Sequence, residues 1–159
     1  MTKSQELVLK AILPCQRAIF NGEAWTLERV RYAAALPQMP SPESPVVFET
    51  SVFVELFAAN PPVEDGRLRL TVRGPAGESL GASETAIDWW KDNPQGKHLG
   101  VVVNVALQVF TCGVLSLEVS WNEHCLGSHE FELRPPGASC EARRWGSIPS
   151  KVLEPADAA

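Results

Sequence analysis

The sequence lacks every short motif that would announce a familiar chemistry. It has no Gly-x-Ser-x-Gly, no phosphate-binding Gly-x-x-x-x-Gly-Lys-Ser/Thr, no His-Glu-x-x-His and no Gly-x-Gly-x-x-Gly. Hydrolase elbows, nucleotide loops, zincin helices and dinucleotide turns are thereby set aside. Histidine is scarce, with only His98, His124 and His129 in 159 residues. No apolar run approaches the roughly 18 residues of a membrane-spanning helix. The apolar stretch Ala11–Leu13 after Lys3 and Lys10 is too short for a signal peptide. These absences lead us to expect a cytoplasmic chain with no membrane partner.

Basic charge is also short, 14 Lys and Arg against 19 Asp and Glu, for a formal charge of −5. A chain with no domain-wide positive field has little to offer the phosphate backbone, so no nucleic-acid partner is expected. Cys15, Cys112, Cys125 and Cys140 contain no Cys-x-x-Cys pair and are read as free, partly buried thiols. His124, Cys125 and His129, with Cys112 as a fourth donor, have the atom types zinc prefers. Their spacing matches no common site, and neighbours in a strand point apart. The same geometry makes His124 a poor base for a Cys125 nucleophile, and Glu64-Asp65 reads as solvated loop charge. No metal, no cofactor and no catalytic residue are expected.

What is present is alternation. Leu115, Leu117, Val119 and Trp121 alternate with Ser116, Glu118, Ser120 and Asn122, and Phe131 and Leu133 alternate with Glu130, Glu132 and Arg134. Period two means one buried and one wet face. Gly113 to Arg134 is therefore read as a β-hairpin turning near Asn122-Glu123, with Trp121 in the core. Leu68, Leu70 and Val72 alternate with Arg67, Arg69, Thr71 and Arg73, a half-buried strand whose arginines Glu78 and Glu84 can neutralise. Val46 to Ala58 is apolar on both faces, as suits a central or covered strand. His98 to Phe110 is another long strand, and Ser79 to Ile87 a weaker one.

Nearer the start, Glu6 to Leu13 is a strand stopped by Pro14, followed by a connection holding Asn21-Gly22. A second strand runs from about Ala24 to Ala34. Arg29 and Arg31 disturb its alternation, so it is expected at an edge or bent; a short helix over Leu27 to Leu36 is the competing reading. Pro37, Pro40, Pro42 and Pro45 make Leu36 to Pro45 a stiff surface loop. The total is an all-β, antiparallel β-sandwich of about eight strands, occupying residues 1–136, with an irregular C-terminal tail over 137–159.

The order of these features is similar to that of an uncharacterised bacterial family of short β-sandwich proteins with immunoglobulin-like architecture. Leu13-Pro14-Cys15 precedes the Asn21-Gly22 turn, Leu68 to Val72 leads into Gly74-Pro75-Ala76-Gly77, and Phe110 and Gly113 open the terminal hairpin Leu115 to Leu133. Gln16 stands where the family has an aspartate, and Leu115 where it has an aromatic. The resemblance implies an immunoglobulin-like sandwich and brings no catalytic residue with it.

A complete core pattern without a catalytic constellation points to a non-enzymatic protein-binding or scaffolding module that uses end loops and sheet edges. Trp89 and Trp90, flanked by Asp88 and Lys91-Asp92-Asn93-Pro94, mark the expected partner surface. Lys91 and the tail residue Trp145 are added to it. Two other classes stay open: a carbohydrate- or aromatic-binding protein, or an enzyme, with a pocket near Trp89 and Trp90, and a structural component of a self-assembling particle. A protein partner is expected, and homo-oligomerisation is left open.

Overall fold

The computed structural model describes residues 7–92 and 96–137. Trp145 and nearly all of the expected tail therefore lie outside the described residues. Within them the chain is almost all strand: β1 (Leu7–Cys15), β2 (Arg17–Phe20), β3 (Trp25–Glu28), β4 (Ala33–Ala35), β5 (Val46–Ala58), β6 (Gly66–Arg73), β7 (Ser79–Ile87), β8 (His98–Val109), β9 (Gly113–Trp121) and β10 (His124–Arg134). One helical turn, α1 (Trp89–Asp92), sits between β7 and β8. Among the described residues no helix is long and apolar enough to cross a membrane.

Three strands form one sheet in the order β1-β5-β8, five form another in the order β4-β10-β9-β6-β7, and β2 and β3 make a separate hairpin. The inward faces of both large sheets meet in one apolar core. Val52, Val54 and Leu56 of β5 face it from one side; Leu68 and Leu70 of β6 and Phe131 of β10 face it from the other. Trp121 is buried as its parity requires. Its indole lies against Gly66, where any side chain would collide with it.

The strand count and the sense of one pairing differ from expectation. Ten strands are present among the described residues rather than about eight, and β4 pairs with β10 in parallel, so the larger sheet is mixed. The expected second strand breaks at Arg29, whose φ of +53° lies in the left-handed region and cannot continue a ladder. Its first part becomes β3, paired with β2; its last part becomes β4, paired with β10. β1 also outruns its expected stop and includes Pro14 and Cys15. The Pro14 carbonyl points away from β5 and accepts the Arg31 N–H at 2.9 Å. The missing proline donor falls on that same outer edge, where it breaks no bond to β5.

The expected hairpin turn is present. Trp121 and His124 pair directly, leaving Asn122 and Glu123 as a two-residue loop with φ of +46° and +71°. The expected neutralisation of the arginine stripe is divided. Arg67 pairs with Glu84 and Arg73 with Glu118, both at 2.9 Å, while Glu78 turns back to accept the Ala76 N–H. The Leu36–Pro45 connection is mostly exposed, although Leu36 and Pro40 are buried.

Candidate functional site

The double-sided apolar pattern of β5 is explained by the β2–β3 hairpin, which covers part of the sheet face that points away from the core. Asn21 builds the hairpin loop: its Oδ1 accepts the N–H groups of Glu23 and Ala24, each at 2.9 Å, and Gly22 supplies a φ of +100°. The register places Phe20 opposite Trp25, with ring centroids 5.0 Å apart. Trp25 in turn meets Phe53 of β5 at 5.2 Å. The three rings form a ladder that runs from the sheet out to solvent. Phe53 is buried, Trp25 half-buried and Phe20 53% exposed.

Beside this ladder is a cleft of about 720 Å³. Phe20, Trp25 and Phe53 wall it, Gly100 of β8 lies beneath Trp25, and Glu23 and Glu55 line it together with His98. The β5–β8 register sets Glu55 opposite Gly100 and Phe57 opposite His98. That offset brings His98 Nδ1 to 3.3 Å from Glu55 Oε1 and the imidazole to 4.9 Å from the Phe57 ring. Lys10 Nζ lies 5.4 Å from the centroid of the same Phe57 ring. No lysine or arginine lines the cleft among the described residues. Aromatic faces and carboxylates in one open cleft suit a planar or cationic group.

A second cleft, of about 620 Å³, is polar and is lined by Gln16, Arg31, Glu49 and Asn104 among others. Its polar groups already answer one another in part: Ser51 Oγ is 2.9 Å from Asn104 Oδ1, and the Arg31 guanidinium lies 5.6 Å from the Phe48 ring centroid. The aromatic cleft is the better-built site.

The tryptophan pair expected at the partner surface is split. Trp89 is only 1% exposed, packs edge-on against Trp121 at 6.4 Å and donates its indole N–H to the Gly96 carbonyl at 3.0 Å. Trp90 is 45% exposed. The pair sits on a helical turn rather than a strand, with the Lys91 N–H capped by Asp88 Oδ1 at 3.2 Å. Lys91 is exposed. The segment carrying them begins after Ile87 and ends at His98, and both of these residues line the aromatic cleft. Among the described residues, none of those expected at the partner surface lines this cleft; only the ends of their segment, Ile87 and His98, do. The available signals were Phe20 and Trp25 flanking Asn21-Gly22, the outward run Phe53, Glu55, Phe57, and a glycine inside β8.

On β10, His124 and Cys125 are exposed beside the turn, while His129 is half-buried with its ring 5.1 Å from Tyr32. Among the described residues no group of three His, Cys, Asp or Glu side chains is placed to hold a metal.

No protein-family model and no curated protein matches the chain. Several solved structures share a distant likeness. An alkylpurine DNA glycosylase from Pseudomonas fluorescens aligns at a TM-score of 0.46 and 13% identity, over 82% of this chain and 31% of its own. A β-glucosidase from Listeria innocua aligns at 0.44 and 12%, over 82% of this chain and 16% of its own. An immunoglobulin-like protein from Pseudomonas aeruginosa aligns at 0.40 and 14%, over 83% of this chain and 100% of its own. The chain spans less than a third of the first two. Likeness at this level carries no argument about activity.

Proposed function

We propose that the chain is an immunoglobulin-like β-sandwich that works as a non-enzymatic binding module and takes a protein partner at the aromatic cleft. The supporting observation is the Phe20–Trp25–Phe53 ladder, which starts buried and ends with a phenyl ring in water. Exposed apolar surface is unfavourable by about 25 cal/mol per Å² until something covers it. Aromatic side chains are the usual anchors of protein interfaces. The exposed Trp90 and Lys91 extend the surface from the neighbouring turn, in keeping with function carried by loops at the end of a rigid β scaffold. Free thiols at Cys15, Cys112 and Cys125 suit a reducing, cytoplasmic setting.

The test is affinity capture with quantitative mass spectrometry, using the full chain and its Phe20→Ser variant. Phe20 is exposed, so the variant should fold and melt like the parent. Proteins enriched by the parent and lost by the variant identify the partner. If the variant captures the same proteins at the same yield, the cleft is not the recognition surface.

A further inference from the structure

Resting on that reading, we propose that the cleft receives an arginine side chain of the partner, stacked on the Phe20–Trp25 faces and paired with Glu23 and Glu55. Two independent observations lead to this. The first is charge. The lining includes two glutamates, Glu23 of the hairpin loop and Glu55 of β5, and no lysine or arginine among the described residues. Of the two, Glu55 already has His98 at 3.3 Å, so an apolar partner group would leave chiefly Glu23 facing a drying interface, which is costly unless it is paired.

The second is how the chain treats the neighbouring aromatic ring on the outer face of β5. Lys10 lies over the half-buried Phe57, so a cation of the chain itself already occupies an aromatic ring on the same outer face of β5 as Phe53. Among the described residues, no lysine or arginine lines the cleft that Phe20, Trp25 and Phe53 wall. The ladder shares the outer face of β5 with that cation-covered ring, opens toward solvent at Phe20 and is edged by Glu23 and Glu55.

Guanidinium fits better than ammonium. It is planar, so it can lie flat against a ring while its N–H edge reaches a carboxylate, and it is more weakly hydrated than the lysine head group. Glu55 is held on the β8 side by His98 at 3.3 Å, and Glu23 projects from the loop that closes the hairpin. A guanidinium entering between them meets both carboxylates and loses little by leaving water.

The experiment is a titration of the full-length protein followed by nuclear magnetic resonance at the Trp25 indole N–H, assigned with Trp25→Phe. The probes are acetyl-Gly-Arg-Gly-amide, its citrulline and lysine counterparts, and a linear glucose oligosaccharide. The arginine peptide should shift the Trp25 signal and bind about tenfold more tightly than the citrulline peptide, a difference that shrinks as salt rises. Glu55→Gln and Glu23→Gln should each weaken the arginine peptide without weakening the citrulline one. Equal binding of arginine and citrulline, or a Trp25 response to the oligosaccharide alone, overturns the inference. Its failure is distinct from failure of the binding module. If Phe20→Ser still loses a captured protein while arginine shows no preference, the cleft binds a partner by other chemistry; if Phe20→Ser loses nothing, both readings fall.

Discussion

The indole of Trp25 lies directly on the backbone of Gly100. A Cβ built at position 100 would collide with the indole nitrogen and come within 2.8 Å of Phe53 Cε2. β8 therefore contains a glycine where a strand would otherwise favour a β-branched residue, and the hairpin reaches the sheet only because of it. Gly100→Ala should push Trp25 off Phe53 and open the ladder. The rest of β8 keeps its pairing with β5, so the fold should survive, with a loss of about 1–3 kcal/mol from the forced shift. Tryptophan emission should move to the red, and partner capture should fall with it. An unchanged emission spectrum together with parental stability would show that the hairpin does not rest on this glycine.

Trp89 and Trp90 are neighbours in sequence and opposites in environment. Trp89 is enclosed with its N–H bonded to Gly96, and Trp90 is 45% exposed. Trp89→Ala should cost about 3–5 kcal/mol in urea melts. Trp90→Ala should change stability by less than about 0.5 kcal/mol, as surface substitutions do. If the cleft-side surface extends to this turn, only the Trp90 variant keeps its stability and weakens capture. Two variants of equal stability would place both rings on the surface.

The all-β class and the core face of each long strand are readable because burial enforces period two. β6 and β8 each keep a single parity along their length, and the structure buries the residues that parity selects. The region from Cys15 to Ala35 was misread for a physical reason. β2, β3 and β4 are three or four residues long, too short to show a period, and the chain changes sheets at a positive-φ arginine that nothing in its composition announces. The parallel β4–β10 pairing is equally silent, since three alanines carry no face. The cleft stayed hidden because its wall joins Phe20 and Trp25 to Phe53, residues about thirty positions apart that only the hairpin's docking brings together.

The hairpin loop between β9 and β10 holds a removable strain. Both loop residues have positive φ, which is the backbone of a type I′ turn. Asn122 tolerates it and also ties the turn to β6: its Oδ1 accepts the Arg67 N–H at 2.9 Å, and its own N–H donates to the Arg67 carbonyl at 3.0 Å. Glu123, with φ +71°, is exposed. Left-handed geometry costs a non-glycine residue roughly 1–2 kcal/mol, against roughly 0.5–1 kcal/mol of extra chain entropy for glycine. Glu123→Gly should thus stabilise by about 0.5–1 kcal/mol, and Asn122→Ala should destabilise by about 1–2 kcal/mol. Thermal melts of the two variants moving in the same direction would contradict the turn geometry.

Cys15 supplies the pH-dependent prediction. It is fully buried at the end of β1, and this burial pushes its thiol above the ordinary 9.0; a backbone hydrogen bond from Arg17 and the charge of Arg31 oppose the rise without cancelling it. Below pH 9 both folded and unfolded chains hold this proton, and Cys15 adds no pH dependence. Above it the unfolded thiol ionises while the buried one does not, so the unfolded state binds fewer protons and stability falls as pH rises. Cys15→Ala should flatten the alkaline limb of the stability curve relative to the parent and leave the curve below pH 8 parallel. Reactivity follows the same physics, because thiolate and access are both required. In native protein at pH 8, site-resolved alkylation should label exposed Cys125 promptly and Cys15 only at the rate of unfolding. Rapid native labelling of Cys15 would mean that β1 frays at its C-terminal end, and that the Arg31 N–H does not hold the Pro14 carbonyl against the neighbouring chain.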